Sequence, residues 1–124
     1  MIKCSLKRRS DGKLIVNDCE LANTMWLRMK GLLGRTHLPE DTALLIKPCN
    51  SIHTFFMKFP IDVAFLSKEQ KILAVYNSLS PWRLSKIYWK ADSVVEFSSG
   101  KLKSVGIRVG DILDLIPVGG INAS

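Results

Sequence analysis

Residues 48–66, PCNSIHTFFMKFPIDVAFL, place a cysteine, a histidine, a methionine and an aspartate in an otherwise apolar stretch. The phenylalanine, isoleucine and valine residues favour β-structure, and Pro60 interrupts any helix. We therefore predict two core strands, at 51–57 and at 61–66, joined near the Phe-Pro pair. Polar side chains within core strands need partners, and the nature of those partners decides which functions are open to the chain.

Asp62 is the first of these polar residues. Side chains in a strand alternate between the two faces of a sheet, so Asp62 shares its face with Ala64 and Leu66. A carboxylate on a half-buried face needs a partner, because an unpaired buried charge is costly. Glu96, in a second predicted strand at 93–97, poses the same problem. The two carboxylates are a candidate acid/base pair; the alternative is that each bonds to backbone N–H groups or to an arginine.

Cys49, His53 and Met57 recur every four residues, a spacing that on a helix would gather ligands for a soft metal ion. In a strand, four residues span about 13 Å, so these side chains cannot share one ion. We therefore predict no metal site. The same distance weakens a nucleophilic Cys49–His53 pair, which requires a bend at Asn50 and Ser51. Without that bend, Cys49 is predicted to be a small buried side chain.

The remaining candidates suggest a binding pocket. His53 and Thr54 are adjacent, so at most one of them faces any single pocket. Trp82 and Arg83 lie in a loop, where binding residues tend to occur, and a guanidinium can hold an anion bidentately. The alternative is structural, with Trp82 covering the end of the sheet and Arg83 pairing with a buried carboxylate. The candidate pocket comprises His53, Thr54, Asp62, Trp82, Arg83 and Glu96.

The rest of the chain predicts one helix among short strands. Residues 2–21 read as a hairpin that turns at Ser10-Asp11-Gly12. Residues 17–35 predict the main helix, because Leu21, Met25, Met29 and Leu32 recur at helical spacing. Further strands are predicted at 43–47, 71–77, 93–97 and 111–116. The predicted fold is a single α+β domain: a compact, mostly antiparallel, barrel-like sheet with one main helix near the N-terminus.

Bulk composition favours a soluble globular protein. The chain has 124 residues, of which 47% are hydrophobic and 23% charged. Its three cysteines are too few for a disulfide framework, and the N-terminus lacks the apolar region of a signal peptide. No apolar run approaches the length of a membrane helix. We therefore expect a cytoplasmic monomer with no cofactor.

The net charge of +7 raises the question of an acidic partner. The 18 Lys and Arg residues are spread along the chain, with one dense patch at Lys7-Arg8-Arg9. No helix-turn-helix, zinc-finger or aromatic RNA-binding motif accompanies them, so nucleic-acid binding is not expected. A basic interaction module that uses this patch against an acidic partner stays open as an alternative.

The ordered blocks ANTMWLRMKGLLGR, LLIKPCNSIHTFFMKFPIDVAFL, ILAVYNSLSPWR, ADSVVEFSSG and VGIRVGDIL resemble domain-of-unknown-function family 192, in its bacterial branch. The resemblance covers about residues 20–116. It departs at Gln70, where the family usually turns on glycine, and at Ser98-Ser99. The resemblance implies the compact barrel-like fold, and it implies no active site or cofactor.

Three functional hypotheses follow from the sequence. The first is a non-enzymatic binding domain that takes a small polar or anionic ligand or a peptide in the candidate pocket. The second is a hydrolase-type enzyme that uses Cys49 with His53, or Asp62 with Glu96. The third is the basic interaction module at residues 7–9.

Overall fold

The computed structural model of the chain describes residues 2–22 and 35–118. These residues form seven strands and one short helix. In chain order the elements are β1 (Ile2–Arg8), β2 (Leu14–Ala22), β3 (Thr42–Ile46), β4 (Ile61–Leu66), β5 (Ile72–Leu79), β6 (Ser93–Ser98), α1 (Lys101–Ser104) and β7 (Leu113–Pro117).

The α+β prediction is wrong, because the described residues are nearly all β-structure. Residues 17–22, predicted to begin the main helix, continue strand β2. The rest of that predicted helix, at 23–34, lies outside the described residues. Strand β2 pairs with β1 on one side and with β3 on the other. These two ladders satisfy the backbone groups of β2, so tertiary pairing outweighs the local helical spacing.

The strands form one sheet in the order β5–β4–β6–β3–β2–β1–β7. All neighbours pair antiparallel except β2 and β3, which are parallel. The two edge strands approach each other at one end. There the Ile72 amide donates to the Asp111 carbonyl at 2.8 Å, and the Leu113 amide donates to the Gln70 carbonyl at 3.0 Å. The sheet is therefore curled into a half-closed barrel, which confirms the barrel-like part of the prediction.

Most predicted strands are present, and one is absent. The β1–β2 hairpin and strands β3 to β7 lie within a few residues of their predicted positions. The segment 51–57 is not a strand; only His53 pairs, in a single bridge to Leu84. The chain turns at Phe55 and Phe56, and Phe56 has a φ of 67°. A left-handed residue cannot continue an extended strand, so aromatic β-propensity misleads here.

Two hydrophobic cores lie on opposite faces of the sheet. The inner core is enclosed by the curl and receives buried side chains from all seven strands. Its members include Leu6, Cys19, Leu45, Leu66, Ile72, Phe97 and Leu113. The outer core includes Leu44, Ile61, Val63, Phe65 and Val94 of the sheet, packed with Ile52, Met57 and Phe59 from the segment before β4. Strand β4 contributes to both cores, and all six of its residues are buried.

Residues 67–70 form the turn between β4 and β5. The Gln70 amide donates to the Ser67 carbonyl at 2.9 Å, and the Ser67 amide donates to the Lys71 carbonyl at 2.9 Å. Gln70 has a φ of 65°, in the left-handed region that glycine adopts most easily. The departure from the family pattern at this position therefore places a strained residue where glycine is usual.

Asp62 is a buried polar anchor on the inner face of β4. Its side chain is fully buried. One carboxylate oxygen accepts a hydrogen bond from the Ser78 amide of β5 at 2.8 Å, and the other accepts from the Leu102 amide of α1 at 2.9 Å. The carboxylate thus fixes α1 and the end of β5 to the central strand. Asp62 therefore has backbone N–H groups as partners, which was one of its predicted alternatives.

Replacing Asp62 with Asn puts an NH₂ group where one of two acceptor oxygens faces a backbone N–H. We expect the free energy of unfolding to fall by about 1–3 kcal/mol, measured by urea denaturation. Asp114→Asn is the matched control, because Asp114 pairs with Arg9 at the surface, where the loss of an ion pair changes stability little, so we expect a clearly smaller effect there. Equal effects of the two substitutions would contradict the anchoring role.

Candidate functional site

Two segments, 47–60 and 80–92, lie over the outer core, and we call them the outer loops. They are joined by backbone hydrogen bonds as well as by the single β-bridge. The Ser85 amide donates to the Ile52 carbonyl, and the Tyr88 amide donates to the Asn50 carbonyl, both at 2.9 Å. The Cys49 amide donates to the Asp92 carbonyl at 3.1 Å. Contacts along the length of both loops therefore hold them as one unit.

Thr54 is the centre of this unit and is fully buried. Its hydroxyl donates to the Ser80 carbonyl at 2.6 Å and accepts from the Arg83 amide at 2.9 Å. Its own amide donates to the Arg83 carbonyl at 2.9 Å. Its carbonyl accepts from the amides of Trp82 and Met57 at 3.0 and 3.2 Å. Thr54 therefore fixes the turn at 80–84 and does not face a ligand.

Four rings form what we call the aromatic surface: His53, Phe55, Phe56 and Trp82. The Phe55 ring stacks on His53 at 4.7 Å and on Trp82 at 5.9 Å, and Phe56 meets the Trp82 edge at 4.7 Å. Phe56 and Trp82 are 60% and 57% exposed. These exposed rings, in mutual contact, form an apolar patch on the surface of the outer loops.

The backbone at this surface is strained. Phe56 and Trp82 have φ values of 67° and 62°, which bulky residues rarely adopt. Such conformations cost of order 1–3 kcal/mol each and persist where the surrounding structure determines them. The hydrogen bonds to the Thr54 carbonyl supply that determination, because they fix Trp82 and the residue after Phe56. These hydrogen bonds keep Phe56 and Trp82 in the conformation that exposes both rings.

The outer loops carry positive charge with little compensation. Lys58, Arg83, Lys86 and Lys90 are exposed, and the ion pairs of the described residues do not include them. The sequence contains no Asp or Glu from 47 to 60 or from 80 to 91. Arg83 therefore does not form the ion pair with Asp62 that was one of its predicted alternatives.

The predicted basic patch at residues 7–9 is differently arranged. The Arg8 guanidinium donates to both carboxylate oxygens of Asp11 at 3.1 and 3.0 Å, and Arg9 contacts Asp114 at 2.7 Å. These hydrogen bonds lower the pKa of both carboxyl groups. Two of the three cations are thus neutralised by neighbours, which weakens the case for this patch as the contact surface for an acidic partner.

The sheet separates the two candidate carboxylates. Asp62 lies opposite Phe97 on the inner face, whereas Glu96 lies opposite Val63 on the outer face. Residues directly opposite each other in a ladder share a face, so Asp62 and Glu96 project to opposite sides. Both are fully buried. The arrangement does not support a shared acid/base pair, and it keeps Asp62 away from the outer loops that carry His53.

The Cys49–His53 pair would require the thiol to donate to the imidazole. In the structure the Cys49 thiol donates to the Ser51 carbonyl at 3.0 Å, and His53 Nδ1 accepts from the Phe55 amide at 3.3 Å. The bend at Asn50 and Ser51 exists, but it directs the thiol to a carbonyl of its own loop. In these two contacts each side chain bonds to a backbone group of its own loop.

The other two cysteines are buried in the inner core. Cys4 and Cys19 lie directly opposite each other on β1 and β2. The hydrogen bond between them, together with burial, raises the pKa of the Cys19 thiol far above its usual range. Both thiols lie among the apolar side chains of the inner core, so this pair is a packing feature of the core.

Two tyrosines tie the second outer loop to the sheet. The hydroxyls of Tyr76, on β5, and Tyr88 share a hydrogen bond of 2.9 Å, and Tyr76 also accepts from the Lys86 amide at 3.1 Å. The Tyr88 ring lies 4.5 Å from the ring of Phe65. Burial, together with the hydrogen bond to Tyr76, raises the pKa of Tyr88 to about 12.

The sequence indicated only part of the exposed surface of the outer loops. It identified His53, Trp82 and Arg83 and missed the two phenylalanines, because apolar residues in a predicted strand are expected to be buried. It also missed Leu84, Ile87 and Trp89, which are 69%, 52% and 81% exposed. The available signal was the absence of acidic residues from two aromatic segments that also carry lysine and arginine.

The family assignment follows from a match over residues 6–115 to DUF192, described as "Uncharacterized ACR". The chain belongs to the DUF192 family. A UPF0127 protein of Pyrococcus abyssi is 32% identical over 102 residues, which cover 78% of this chain and 85% of that protein. A UPF0127 protein of Thermococcus sibiricus is 27% identical over 117 residues, covering 88% and 73%. These relatives are archaeal and do not support the bacterial branch.

A solved structure supports the fold. A protein of unknown function from Novosphingobium aromaticivorans superposes with a TM-score of 0.75, covering 90% of this chain and 83% of its own. The two sequences are 19% identical, so the likeness concerns the fold alone.

Residues 2–22 and 35–118 bring together no group of three His, Cys, Asp or Glu side chains that could hold a metal ion. None of the helices in that part of the chain has the length and apolar character needed to cross a bilayer.

Thr54→Val tests whether the hydrogen bonds of Thr54 hold the outer loops together. The substitution keeps the shape but removes the hydroxyl, leaving the Arg83 amide and the Ser80 carbonyl without their partner. We expect the free energy of unfolding in urea to fall by about 1–3 kcal/mol. Thr42→Val is the control, because the Thr42 hydroxyl donates only to the Pro39 carbonyl at an exposed site. A smaller loss of unfolding free energy for Thr54→Val than for Thr42→Val would argue against this role of Thr54.

Tyr88 gives a pH prediction that absorbance can follow. The chain contains only two tyrosines, so its tyrosinate absorbance near 295 nm should show one group ionising near pH 12. In the unfolded chain tyrosine ionises near pH 10, so unfolding releases a proton between these values. The free energy of unfolding should therefore fall as the pH rises from about 10 to about 12.

Tyr88→Phe serves as the control for this titration. It should abolish the late step and make the fall in stability over that pH range smaller. Two tyrosines that both ionise near pH 10 in the folded protein would show the assignment to be wrong.

Proposed function

We propose that the protein is a non-enzymatic binding domain and that the aromatic surface is its binding site. The ligand is a molecule or peptide that carries an apolar or planar group together with a negative charge. The aromatic rings contact the apolar part, and Arg83 pairs with the anion. This narrows the ligand class expected from the sequence, a small polar or anionic ligand or a peptide, and replaces the predicted pocket with the surface of the outer loops.

The observation that carries the proposal is the exposure of Phe56 and Trp82 on strained backbone. A soluble protein lowers its free energy by turning such rings inward, and here the hydrogen bonds of Thr54 hold them outward. Rings fixed before binding lose little conformational entropy when a ligand arrives. Aromatic residues are also those that most often dominate binding energy at interfaces.

The enzyme alternatives receive less support. Asp62 accepts hydrogen bonds from two backbone amides, and Thr54 is saturated by backbone groups, so neither side chain presents a reactive atom to solvent. The Cys49 thiol donates to a carbonyl of its own loop. The large side chains that are most exposed on the outer loops are aromatic, aliphatic and cationic, a combination suited to holding a ligand.

A thermal-shift screen tests the proposal. A panel of anionic metabolites and of acidic, aromatic peptides is added to the protein, and a ligand of the native state should raise the melting temperature. The double substitution Phe56→Ala/Trp82→Ala should weaken the affinity of any hit by about tenfold or more.

The control is Leu14→Ala/Val118→Ala, which removes two apolar side chains that are 46% and 54% exposed outside the outer loops. It should leave the affinity unchanged. A panel without any hit, or a hit that is insensitive to Phe56→Ala/Trp82→Ala, would count against the proposed site.

A further inference from the structure

We infer that the partner of this surface is the headgroup region of an anionic lipid bilayer, on which the protein docks without crossing it. The inference rests on the proposed function, because it assigns a partner to the same outer loops. It extends the contact from the aromatic surface to the segment 84–90, which we call the basic–apolar ridge.

Side-chain polarity is inverted along the ridge. The small polar residue Ser85 is only 6% exposed, and its hydroxyl accepts from the Ile52 amide and donates to the Lys86 carbonyl. Its apolar neighbours Leu84, Ile87 and Trp89 point outward. A loop that faces only water would place these side chains the other way round. The ridge is therefore built for an apolar environment outside the protein.

The positive charge on and beside the ridge indicates that this apolar environment has an anionic surface. Lys86 and Lys90 alternate with the apolar residues of the ridge, and Arg83 and Lys58 flank the aromatic surface. Interfacial protein segments combine tryptophan, phenylalanine and leucine with lysine and arginine in this way. The apolar side chains enter the boundary between headgroups and acyl chains, and the cations remain at the level of the phosphates.

Single-stranded nucleic acid is the other anionic partner that aromatic and basic residues recognise. Bases bind by stacking on free ring faces. In the aromatic surface the rings of Phe55, Phe56 and Trp82 already contact one another. Leu84 and Ile87 add exposed aliphatic area on which a base cannot stack. The exposed aliphatic side chains therefore favour a bilayer over nucleic acid as the partner, and binding to nucleic acid is one of the outcomes that the experiment below distinguishes.

Vesicle co-sedimentation tests the inference with the full chain. Vesicles of phosphatidylcholine containing phosphatidylserine should bind the protein, and pure phosphatidylcholine vesicles should bind it much more weakly. Lys86→Gln/Lys90→Gln should lower the partition coefficient by about 30-fold, because each cation near an anionic surface contributes of order a fivefold factor. Added salt should weaken binding.

The matched charge control is Lys7→Gln/Lys13→Gln, two exposed lysines of the β1–β2 hairpin. It should change the partition coefficient by less than about threefold at moderate salt, where distant charges are screened. An equal effect of both lysine pairs would mean that net charge alone drives binding, and would overturn the inference. Ile87→Ser/Trp89→Ser should weaken binding by about tenfold or more, since it removes apolar area from the contact.

The results also separate this inference from the function on which it rests. Absence of vesicle binding, together with a soluble ligand whose thermal shift depends on Phe56 and Trp82, would refute the bilayer and leave the binding domain standing. Tight binding to a single-stranded oligonucleotide without vesicle binding would likewise refute the bilayer. Absence of every ligand and of vesicle binding would refute both. All the substituted residues are exposed, and a thermal melt of each variant checks that it is folded.

Discussion

The burial of β4 on both faces is the constraint on which the rest of the molecule depends. A strand with six buried residues requires apolar cover on each side of the sheet. The sheet supplies cover for the inner side by curling until its edge strands meet at one end. The outer side is covered by residues that come before β4 in the chain, with Ile52, Met57 and Phe59 packed against it. The outer loops thus form a layer that buries the outer face of β4.

The same layer explains why the candidate site lies where it does. A loop that covers a core must turn some side chains inward, and in the outer loops Thr54 and Ser85 turn inward together with apolar residues. Their hydroxyls satisfy backbone groups that the loop would otherwise bury without partners. Large rings are displaced to the surface as a result, and uncompensated cations surround them. The exposed rings and the cover of the outer core thus arise from one arrangement of the chain.

The sequence predicted the sheet well wherever alternation and turn chemistry agreed. Strand β4 was placed residue for residue, because both of its faces are apolar except at Asp62, and the family resemblance held over most of the chain. The strand predicted at 51–57 is absent, because the path of this segment depends on hydrogen bonds from Thr54 to residues about 30 positions later. Helical spacing around β2 also misled, since ladders to β1 and β3 decide its conformation. Exposure of Trp89 contradicts the usual preference of tryptophan and was not predictable from local sequence.

The bonds that Thr54 makes have an evolutionary consequence. Every hydrogen bond recorded for its hydroxyl, amide and carbonyl ends on a backbone atom, those of Met57, Ser80, Trp82 and Arg83. Side chains at 55, 56 and 82–84 can therefore mutate while the loop geometry is inherited unchanged. In such a scaffold the backbone path of the loop can be kept while the side chains that set the chemistry of the surface change. Descendants of one ancestral domain can acquire different partners by point substitution alone, without a new fold.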